Sequence, residues 1–507
     1  MKKALSVLLV ILIVFSLCSC GKSYSHKMGN DAVAVVQEMK KIKSDLKSDC
    51  SATKYTMDMM LDVIDDVVEG TVKVDIVNNS EKPLKVLCFR LYSAEISGSE
   101  ITYAENAKTK KEYTLSTKNL PSVYYIILGD DEVEAGGKIS VTLEFKTIVP
   151  RNNDRFGYYE CDKGKLYNLS FCFPQLAFLE DGVWFEEPYN GYGENLINEM
   201  SDYYVKFKAP KNYKIVSSGK IISDRSQTII EAKNVREFAL TACSFAKIKT
   251  TESGGITYNI MMPMYEEAKE KYLTEYYNVL LTTAMESVEI FSKTFGEYIY
   301  DELDIVPVFY DGAIGGMEYP GLIQVSMPWS DGSQPAKESM SCDSSVVTTC
   351  HEVGHQWFYC AVGNNEATEP WLDEGFTSYL EKYFFTKAKK TIKAGDKFNK
   401  KYSDNEGLLY TSSFVEDAVS KDYINFPADD YEMEDYGTLV YENGSEFLRA
   451  LENTMGEKAF IKMLSKWYKA NTNQIVTGAE FIKFVLKHDS SEEVVEIIND
   501  YISDEAI

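Results

Sequence analysis

The chain is 507 residues long, which leaves room for two to four domains of about 150 residues each. Its 78 Asp and Glu residues outnumber its 53 Lys and Arg residues, and the formal net charge at pH 7 is −25. An acidic chain is repelled by nucleic acid and by anionic membrane surfaces, so neither is expected as its partner. Because 45% of the residues are hydrophobic and 13% aromatic, the chain can bury substantial cores and is not a disordered protein.

The N-terminal segment has the pattern of an export signal. A basic start precedes an apolar run over residues 5–15, which is too short to span a bilayer comfortably but suits a secretory signal. The run ends in the sequence LCSCG at residues 17–21, which resembles the bacterial lipoprotein cleavage box. We expect residues 1–19 to be a signal peptide and Cys20 to carry lipid. The protein would then lie outside the cytoplasm, held to the cell membrane through this lipid only, and an ordinary cleaved signal or an uncleaved anchor is the alternative.

The hydrophobic pattern divides the remaining chain into three segments. Residues 20–52 are expected to contain the lipid site, a polar tether and a short amphipathic helix. Over residues 53–250, apolar and polar residues alternate, as in Lys138–Lys146, which predicts a β-rich domain. Over residues 251–507 the period changes to three and four residues, which predicts a mostly helical domain. The predicted helices are 271–295, 345–360, 374–387, 445–455, 459–468 and 480–488, the last opened by a capping box at Thr477.

Residues 351–355 read His-Glu-Val-Gly-His and hold two of the four histidines in the chain. Side chains four residues apart on a helix lie ~40° from each other around its axis, so both imidazoles can reach one metal ion. Glu352 can then face the open coordination position. A catalytic zinc needs a third protein ligand. The other histidines, His26 and His488, lie near the two ends of the chain, which favours a carboxylate as this ligand.

A carboxylate donor follows in the segment Trp371-Leu-Asp-Glu-Gly-Phe376. Glu374 opens a predicted helix, with eighteen residues between it and His355, and this spacing allows the second helix to return past the first. Asp373 is the rival, but it stands where it can cap that helix. Glu374 is therefore the preferred third ligand.

Eight of the ten cysteines follow Cys20. An even number in an exported chain permits disulfides, but the spacings match no known framework. Cys350 is adjacent to His351, and neighbours on a helix point ~100° apart, so the two cannot readily share a metal ion. We expect free or structural thiols at Cys50, Cys88, Cys161, Cys172, Cys243, Cys342, Cys350 and Cys360.

Three motifs in this order resemble one known family. His351-Glu352-x-x-His355, eighteen residues and then Glu374 resembles the zinc signature of the aminopeptidase N family of gluzincin metallopeptidases. Upstream, the segment from Gly315 to Gly321 (GGMEYPG) resembles the Gly-x-Met-Glu-Asn exopeptidase motif of that family. Downstream, Tyr436-x4-Tyr441-Glu-Asn-Gly444 resembles its Tyr-Glu-Lys-Gly segment. The resemblance covers the chain from about Tyr55 to its C-terminus.

The resemblance implies a fold and a reaction centre. The fold is α+β and multidomain, with an N-terminal β-rich, saddle-like domain followed by a thermolysin-like, mostly helical zinc peptidase domain. One zinc ion would be held by His351, His355 and Glu374. Glu352 would act as the general base, and Tyr441 would donate a hydrogen bond to the oxyanion of the transition state.

The resemblance also implies a site for peptide substrates. Glu318 would pair with the free α-ammonium group of the substrate. Gly315 and Gly316 have no side chains, so an extended substrate could pair there by strand addition. Met317 and Tyr319 complete the predicted substrate-binding group, and Tyr319 stands where the family motif has Asn. Gln175 is a weak candidate for a second anchor of the amine.

The leading functional prediction is a lipid-anchored zinc aminopeptidase that trims peptides outside the cell. One alternative is a zinc endopeptidase or specialised processing peptidase that uses the same site. Only the aminopeptidase needs a free substrate amine. A second alternative is a non-catalytic binding lipoprotein with a structural zinc, but Glu352 argues against it because structural zinc sites are closed and need no general base.

Overall fold

A computed structural model describes most of the chain from residue 46 to residue 503. The described residues are 46–118, 120–151, 154–189, 193, 196–224, 226–266, 268–310, 314–327, 341–403, 407–408 and 423–503. The predicted signal peptide, Cys20 and nearly all of the predicted tether and its helix lie outside these ranges. Within them, no helix has the length and apolar character needed to cross a membrane.

The strands, numbered in chain order, are β1 (Cys50–Asp62), β2 (Val67–Asn78), β3 (Val86–Arg90), β4 (Glu100–Asn106), β5 (Thr114–Thr117), β6 (Val123–Ile127), β7 (Lys138–Ile148), β8 (Phe156–Cys161), β9 (Gly164–Leu169), β10 (Gln175–Leu176), β11 (Leu179–Glu180), β12 (Val183–Trp184), β13 (Ser201–Lys208), β14 (Lys214–Ser217), β15 (Lys220–Asp224), β16 (Thr228–Val235), β17 (Leu240–Cys243), β18 (Ala246–Ser253), β19 (Ile256–Pro263), β20 (Glu302–Val308), β21 (Gly316–Met317) and β22 (Leu322–Ser326).

The α-helices are α1 (Ser93–Ser97), α2 (Glu270–Thr294), α3 (Asp343–Gly354), α4 (Glu374–Lys387), α5 (Lys390–Tyr402), α6 (Met433–Tyr436), α7 (Gly444–Met455), α8 (Glu457–Asn471), α9 (Gly478–His488) and α10 (Glu492–Tyr501). Short 3₁₀ turns cover Pro370–Leu372 and Ala428–Asp430, and a π-helical segment, Gly437–Asn443, joins α6 to α7. We call β1–β17 with α1 the N-terminal half, and β18–β22 with α2–α10 the C-terminal half. The predicted α+β multidomain organisation is confirmed.

The N-terminal half is built on a seven-stranded sheet of order β15-β16-β13-β1-β2-β7-β4. Its neighbours are antiparallel except β1 and β13, which run parallel. The alternation read in the sequence explains one face of this sheet, since Val141, Leu143 and Phe145 of β7 are buried while Glu144 is exposed. Two four-stranded sheets, β10-β3-β6-β5 and β14-β17-β9-β8, pack with it around an apolar core.

The C-terminal half contains a five-stranded sheet that the sequence pattern did not indicate. Its order is β18-β19-β20-β22-β21, and β20 runs parallel to both β19 and β22. Helix α2 packs on β19, and α3 packs on β22. Strand β18 runs across the domain boundary predicted at residue 250, so the sheet of this half starts before that position. Strand β20 is buried along nearly its whole length, including the polar Asp304, so it lacks the exposed polar positions that reveal a half-exposed strand.

Most of the predicted helices are confirmed. Helix α4 has the predicted bounds, and the predicted apolar positions of α2, from Leu273 to Phe291, are buried. Thr477 caps α9 through the predicted capping box with Glu480. The sequence missed the short helices α1 and α6 and the longer helices α5 and α10. All eight described cysteines are free thiols, in agreement with the prediction.

Helix α3 is shorter than predicted. It ends at Gly354, six residues before the predicted end at Cys360. Tyr359 has φ +113°, a left-handed conformation that a helix cannot contain, and its N–H donates to the carbonyl of Val362 instead. The prediction was wrong because the apolar spacing continues through a tight turn whose conformation is set by contacts with the N-terminal half.

Arg236 makes several of these contacts from the end of β16. Its buried guanidinium donates to the carbonyls of Tyr359 (2.9 Å) and Ala361 (3.3 Å) in this turn, to that of Asn198 (2.9 Å) and to that of Gln474 (2.5 Å) between α8 and α9. Burial lowers the pKa of Arg236, and the four carbonyls supply acceptors in place of a carboxylate. One side chain therefore joins the N-terminal half to two separate loops of the C-terminal half.

Candidate active site

The three predicted metal ligands meet at the end of α3 and the start of α4. Nε2 of His351 lies 2.9 Å from Oε2 of Glu374, and Nε2 of His355 lies 3.4 Å from the same oxygen. One ligand atom from each of the three residues lies within 4.8 Å of the others. The four-residue spacing on α3 and the return of α4 therefore bring the predicted ligand set together.

The other nitrogen of each imidazole is held by a carboxylate. Nδ1 of His351 lies 2.6 Å from Oε1 of Glu381, two turns after Glu374 on α4, and Nδ1 of His355 is hydrogen-bonded to Asp373. Such partners fix the ring orientation and leave Nε2 for the metal. Asp373 makes no side-chain cap to α4. The capping role suggested for Asp373 was therefore wrong, and its carboxylate orients the imidazole of a predicted metal ligand.

The electrostatics of this cluster suit a divalent cation. Burial alone would lower the pKa of His351, but its hydrogen bonds with Glu374 and Glu381 outweigh burial and raise it to about 10. Asp373 likewise outweighs burial and raises the pKa of His355. Two imidazoles among three carboxylates form a strongly negative pocket. A zinc ion can replace the protons that the rings would otherwise hold, so the residues present fit this metal in ligand type and in charge.

Glu352 is buried next to this cluster, with 4% of its surface exposed. Its carboxylate, that of Glu318 and a ring nitrogen of His355 lie within 4.8 Å of one another. Glycine at 316 makes room for this carboxylate. A Cβ at Gly316 would lie 2.6 Å from Cδ of Glu352 and 2.7 Å from the carbonyl oxygen of Gln324, whereas a Cβ at Gly315 would meet nothing closer than 3.5 Å.

We predict that Gly316→Ala lowers kcat by up to about 10²-fold, because the added methyl group displaces the Glu352 carboxylate. Gly315→Ala is the matched comparison, since its methyl group has room within the protein and leaves Glu352 in place; an effect on substrate pairing at this position should appear in KM, and kcat should stay near the wild-type value. Steady-state kinetics on one peptide, with zinc content measured in parallel, test the pair. Equal losses in both variants would contradict a specific fit between Gly316 and Glu352.

Glu318 follows β21, the edge strand of the five-stranded sheet. Gly316 and Met317 pair with Val325 and Gln324 of β22 on one side of β21, and as an edge strand it leaves its other side available for strand addition. The side chain of Glu318 is 5% exposed, and its carboxylate lies within 4.8 Å of that of Glu352.

Met317 and Tyr319 alternate with Gly316 and Glu318 along the chain. Both side chains are buried in the apolar core of the C-terminal half. The structure places both side chains against this core, and their predicted contact with the substrate stays a prediction.

Gln175 lies at the start of β10, opposite Arg90 of β3. It is buried in the N-terminal half, where its side chain hydrogen-bonds Tyr203. The second amine anchor suggested at this position stays a prediction.

Tyr441 lies in the π-helical segment between α6 and α7. Its hydroxyl donates to Oε1 of Glu374 over 2.5 Å, and its ring stacks on that of His351 with 5.9 Å between centroids. Burial and the negative charge of Glu374 raise the pKa of Tyr441 well above its ordinary value, so the phenol stays protonated. The following helix can approach α4 closely because Gly375 and Gly444 pack against each other, and a Cβ on Gly375 would lie 2.9 Å from Cα of Gly444.

This ligand set, base and tyrosine agree with the result of a family comparison. Residues 279–501 match the model of the Peptidase family M1 domain. The chain contains a peptidase family M1 domain. The family resemblance seen in the three sequence motifs is confirmed.

Two curated relatives each align with about half of this chain. Aminopeptidase O of Mus musculus is 23% identical over 263 residues, which are 48% of this chain and 30% of that protein. Alanine/arginine aminopeptidase of Saccharomyces cerevisiae is 26% identical over 258 residues, which are 48% of this chain and 28% of that protein. The chain thus spans less than a third of the length of these two relatives.

Solved structures share the fold over nearly the whole chain. Yeast LTA4 hydrolase in complex with bestatin is 14% identical with a TM-score of 0.64, and the match covers 92% of this chain and 70% of that one. A mutant M1 zinc metallopeptidase from Deinococcus radiodurans is 13% identical with a TM-score of 0.59, and the match covers 91% of this chain and 96% of that one. The likeness extends the shared fold into the N-terminal half, beyond the M1 domain.

Sequence reasoning missed three functional features of the M1 domain. Glu381 had a readable signal, since it follows Glu374 by seven residues and therefore lies on the same face of α4. The pairing of Asp373 with His355 and the hydrogen bonds of Gln356 to the backbone of residues 318–321 had no such signal, because they depend on how separate segments pack.

Proposed function

We propose that this chain is a zinc-dependent aminopeptidase that removes N-terminal residues from peptides. The observation that carries the proposal is the close grouping of two buried carboxylates, Glu318 and Glu352, beside the metal ligand His355. The Glu318 carboxylate can bind the amine of a substrate, and the Glu352 carboxylate can accept a proton from water. Both carboxylates lie next to the predicted metal ligands.

A single zinc ion held by His351, His355 and Glu374 would polarise the scissile carbonyl and lower the pKa of a water molecule. Glu352 then takes the proton of the attacking water and returns it to the leaving amine. Tyr441 donates its hydroxyl proton in a hydrogen bond to the developing oxyanion, which its raised pKa allows because the phenol stays neutral. Asp373 and Glu381 hold the imidazoles in place.

Glu318 gives the proposed enzyme its preference for the end of a peptide. Its carboxylate is buried, and a positively charged α-ammonium group compensates that charge far better than water does. An acylated amine has no such charge. The edge strand β21 can pair with the backbone of the bound peptide, whose first residue then lies between Glu318 and the metal ligands.

We further propose that the protein acts outside the cytoplasm, anchored by lipid on Cys20. The apolar run over residues 5–15 and the cleavage-box sequence at 17–21 support this location. Metabolic labelling with a fatty-acid analogue tests it, and Cys20→Ala should abolish both the label and membrane association. A labelled Cys20→Ala protein would contradict the proposed lipid site.

The experiment for the activity compares one fluorogenic peptide in free and N-acetylated forms, using residues 24–507 loaded with zinc. We expect cleavage of the free form only. Glu318→Ala should lower kcat/KM for the free form by about 10²-fold, because a charge-assisted contact is lost, and should change any residual cleavage of the acetylated form far less.

Glu318→Gln keeps the size of the side chain and removes only its charge, so it should reproduce most of this loss. Cleavage of both peptide forms at similar rates would instead indicate an endopeptidase on the same site. Equal losses on the two forms in Glu318→Ala would remove the anchoring role.

A further inference from the structure

Gln356 directly follows the metal ligand His355 and is 1% exposed. Its amide nitrogen donates to the carbonyls of Glu318 and Tyr319, each over 3.2 Å, and its amide oxygen accepts from the N–H of Gly321 over 2.9 Å. One side chain thus makes three hydrogen bonds, all to the backbone of residues 318–321.

These bonds act where the strand ladder has ended. Strand β21 pairs with β22 only through Gly316 and Met317, so Glu318 lies beyond the last ladder pair. The carbonyl of Glu318 accepts from Gln356 and also from the thiol of Cys360, 3.1 Å away. Both donors belong to the segment that begins with His355. The backbone that carries the Glu318 carboxylate is therefore attached to the metal-ligand segment, and not only to its own sheet.

We propose that Gln356 is a positioning residue that fixes the separation between Glu318 and the metal ligand His355. The inference rests on the proposed function. In a free peptide, one Cα atom separates the α-ammonium group of the first residue from the first peptide carbonyl, so the distance between the protein groups that hold the two decides which peptide bond is cut. Gln356 sets this distance through the backbone and contacts neither the metal nor the substrate.

Gln356→Glu tests the role at constant volume. The substitution removes both N–H donors and turns a carboxylate towards the two carbonyl oxygens of Glu318 and Tyr319, which repel it. Gln324→Glu is the matched control. Gln324 is also 1% exposed and lies in β22, but its amide donates to Asn168 and Thr241 of the N-terminal half. Gln356→Met supplies a second variant that fills the same space without hydrogen bonds.

The measurements are zinc content, thermal unfolding, kcat and KM for the free and acetylated peptide, and the affinity of leucine hydroxamate and its N-acetyl form by calorimetry. We expect Gln356→Glu and Gln356→Met to bind one zinc and to lose about tenfold or more of the preference for the free amine, mainly through KM and hydroxamate affinity. Gln324→Glu should keep that preference even where it lowers the unfolding temperature.

Folded Gln356 variants that keep the wild-type preference for a free amine would overturn the inference and leave the proposed function intact. Loss of zinc in proportion to loss of activity would also overturn it, since Gln356 would then support the ligand set. A wild-type protein with no preference for free amines, in both cleavage and hydroxamate binding, would overturn the proposed function and with it this role.

Discussion

The Glu352→Gln variant is expected to bind zinc like the wild type and to lose about 10²–10⁴-fold in kcat. The amide has the size of the carboxylate and cannot accept the proton of the attacking water. Glu352 is not one of the three proposed zinc ligands, which are His351, His355 and Glu374, so the metal content should be unchanged. Steady-state kinetics with metal analysis on the same preparation test both parts.

Glu369→Gln is a suitable control for this variant. Burial raises the pKa of Glu369 to about 7, so near neutral pH a large fraction of this side chain is already uncharged and resembles glutamine. Its Oε1 accepts from the N–H of Gly478, away from the ligand set, and an amide oxygen can do the same. This control should keep its activity. Undiminished turnover in Glu352→Gln would show that Glu352 is not the general base.

The Tyr441→Phe variant is expected to lose about 10²–10³-fold in kcat with little change in KM, because a hydrogen bond to the oxyanion forms only in the transition state. The ring and its stacking on His351 are retained, so zinc binding should persist. Tyr436→Phe removes a hydroxyl from a neighbouring ring, 6.1 Å away between centroids, and should have a much smaller effect. A higher KM with an unchanged kcat would contradict the proposed role.

The raised pKa of Tyr441 also predicts a pH dependence. A neutral phenol is the active form, and this form persists at alkaline pH because burial and Glu374 disfavour the phenolate. Ionisation of Tyr441 should therefore cause no decline in activity up to about pH 10, which is the ordinary pKa of a tyrosine side chain. The pH–rate profiles of the wild type and of Tyr441→Phe test this. A decline in activity below about pH 10 that occurs in the wild type and is absent from the variant would contradict it.

The sequence could predict that the side chains of His351, His355 and Glu374 lie together because their geometry is local. His351, Glu352 and His355 lie within about one turn at the end of α3, so their spacing in the sequence fixes their relative positions. Glu374 is the first residue of α4, and the apolar periodicity of that segment predicts where this helix begins. The family resemblance added Glu318 and Tyr441, which lie far from the ligands in sequence. Neither the spacing nor the composition of the chain alone would have joined them to the site.

What the sequence could not predict depends on contacts between distant segments. The end of α3 is set by a turn that Arg236 holds from the other half of the molecule. The burial of Met317 depends on a two-residue edge strand, which is too short for a periodic signal, and the burial of Tyr319 depends on the segment that follows that strand. The inner strands β20 and β22 are buried at nearly every position, so they lack the alternation of buried and exposed residues by which a strand is usually recognised.

Arg236 has a consequence for how the chain folds. Its guanidinium is buried and donates to four carbonyls that belong to three separate segments. If any one of these segments is missing, N–H groups of the buried guanidinium lose their acceptors, which is costly. The turn that carries Cys360, and through it the support of Glu318, is therefore completed only when both halves are present. The two halves should unfold in a single cooperative transition, and the C-terminal half alone would lack the native shape of its own catalytic turn.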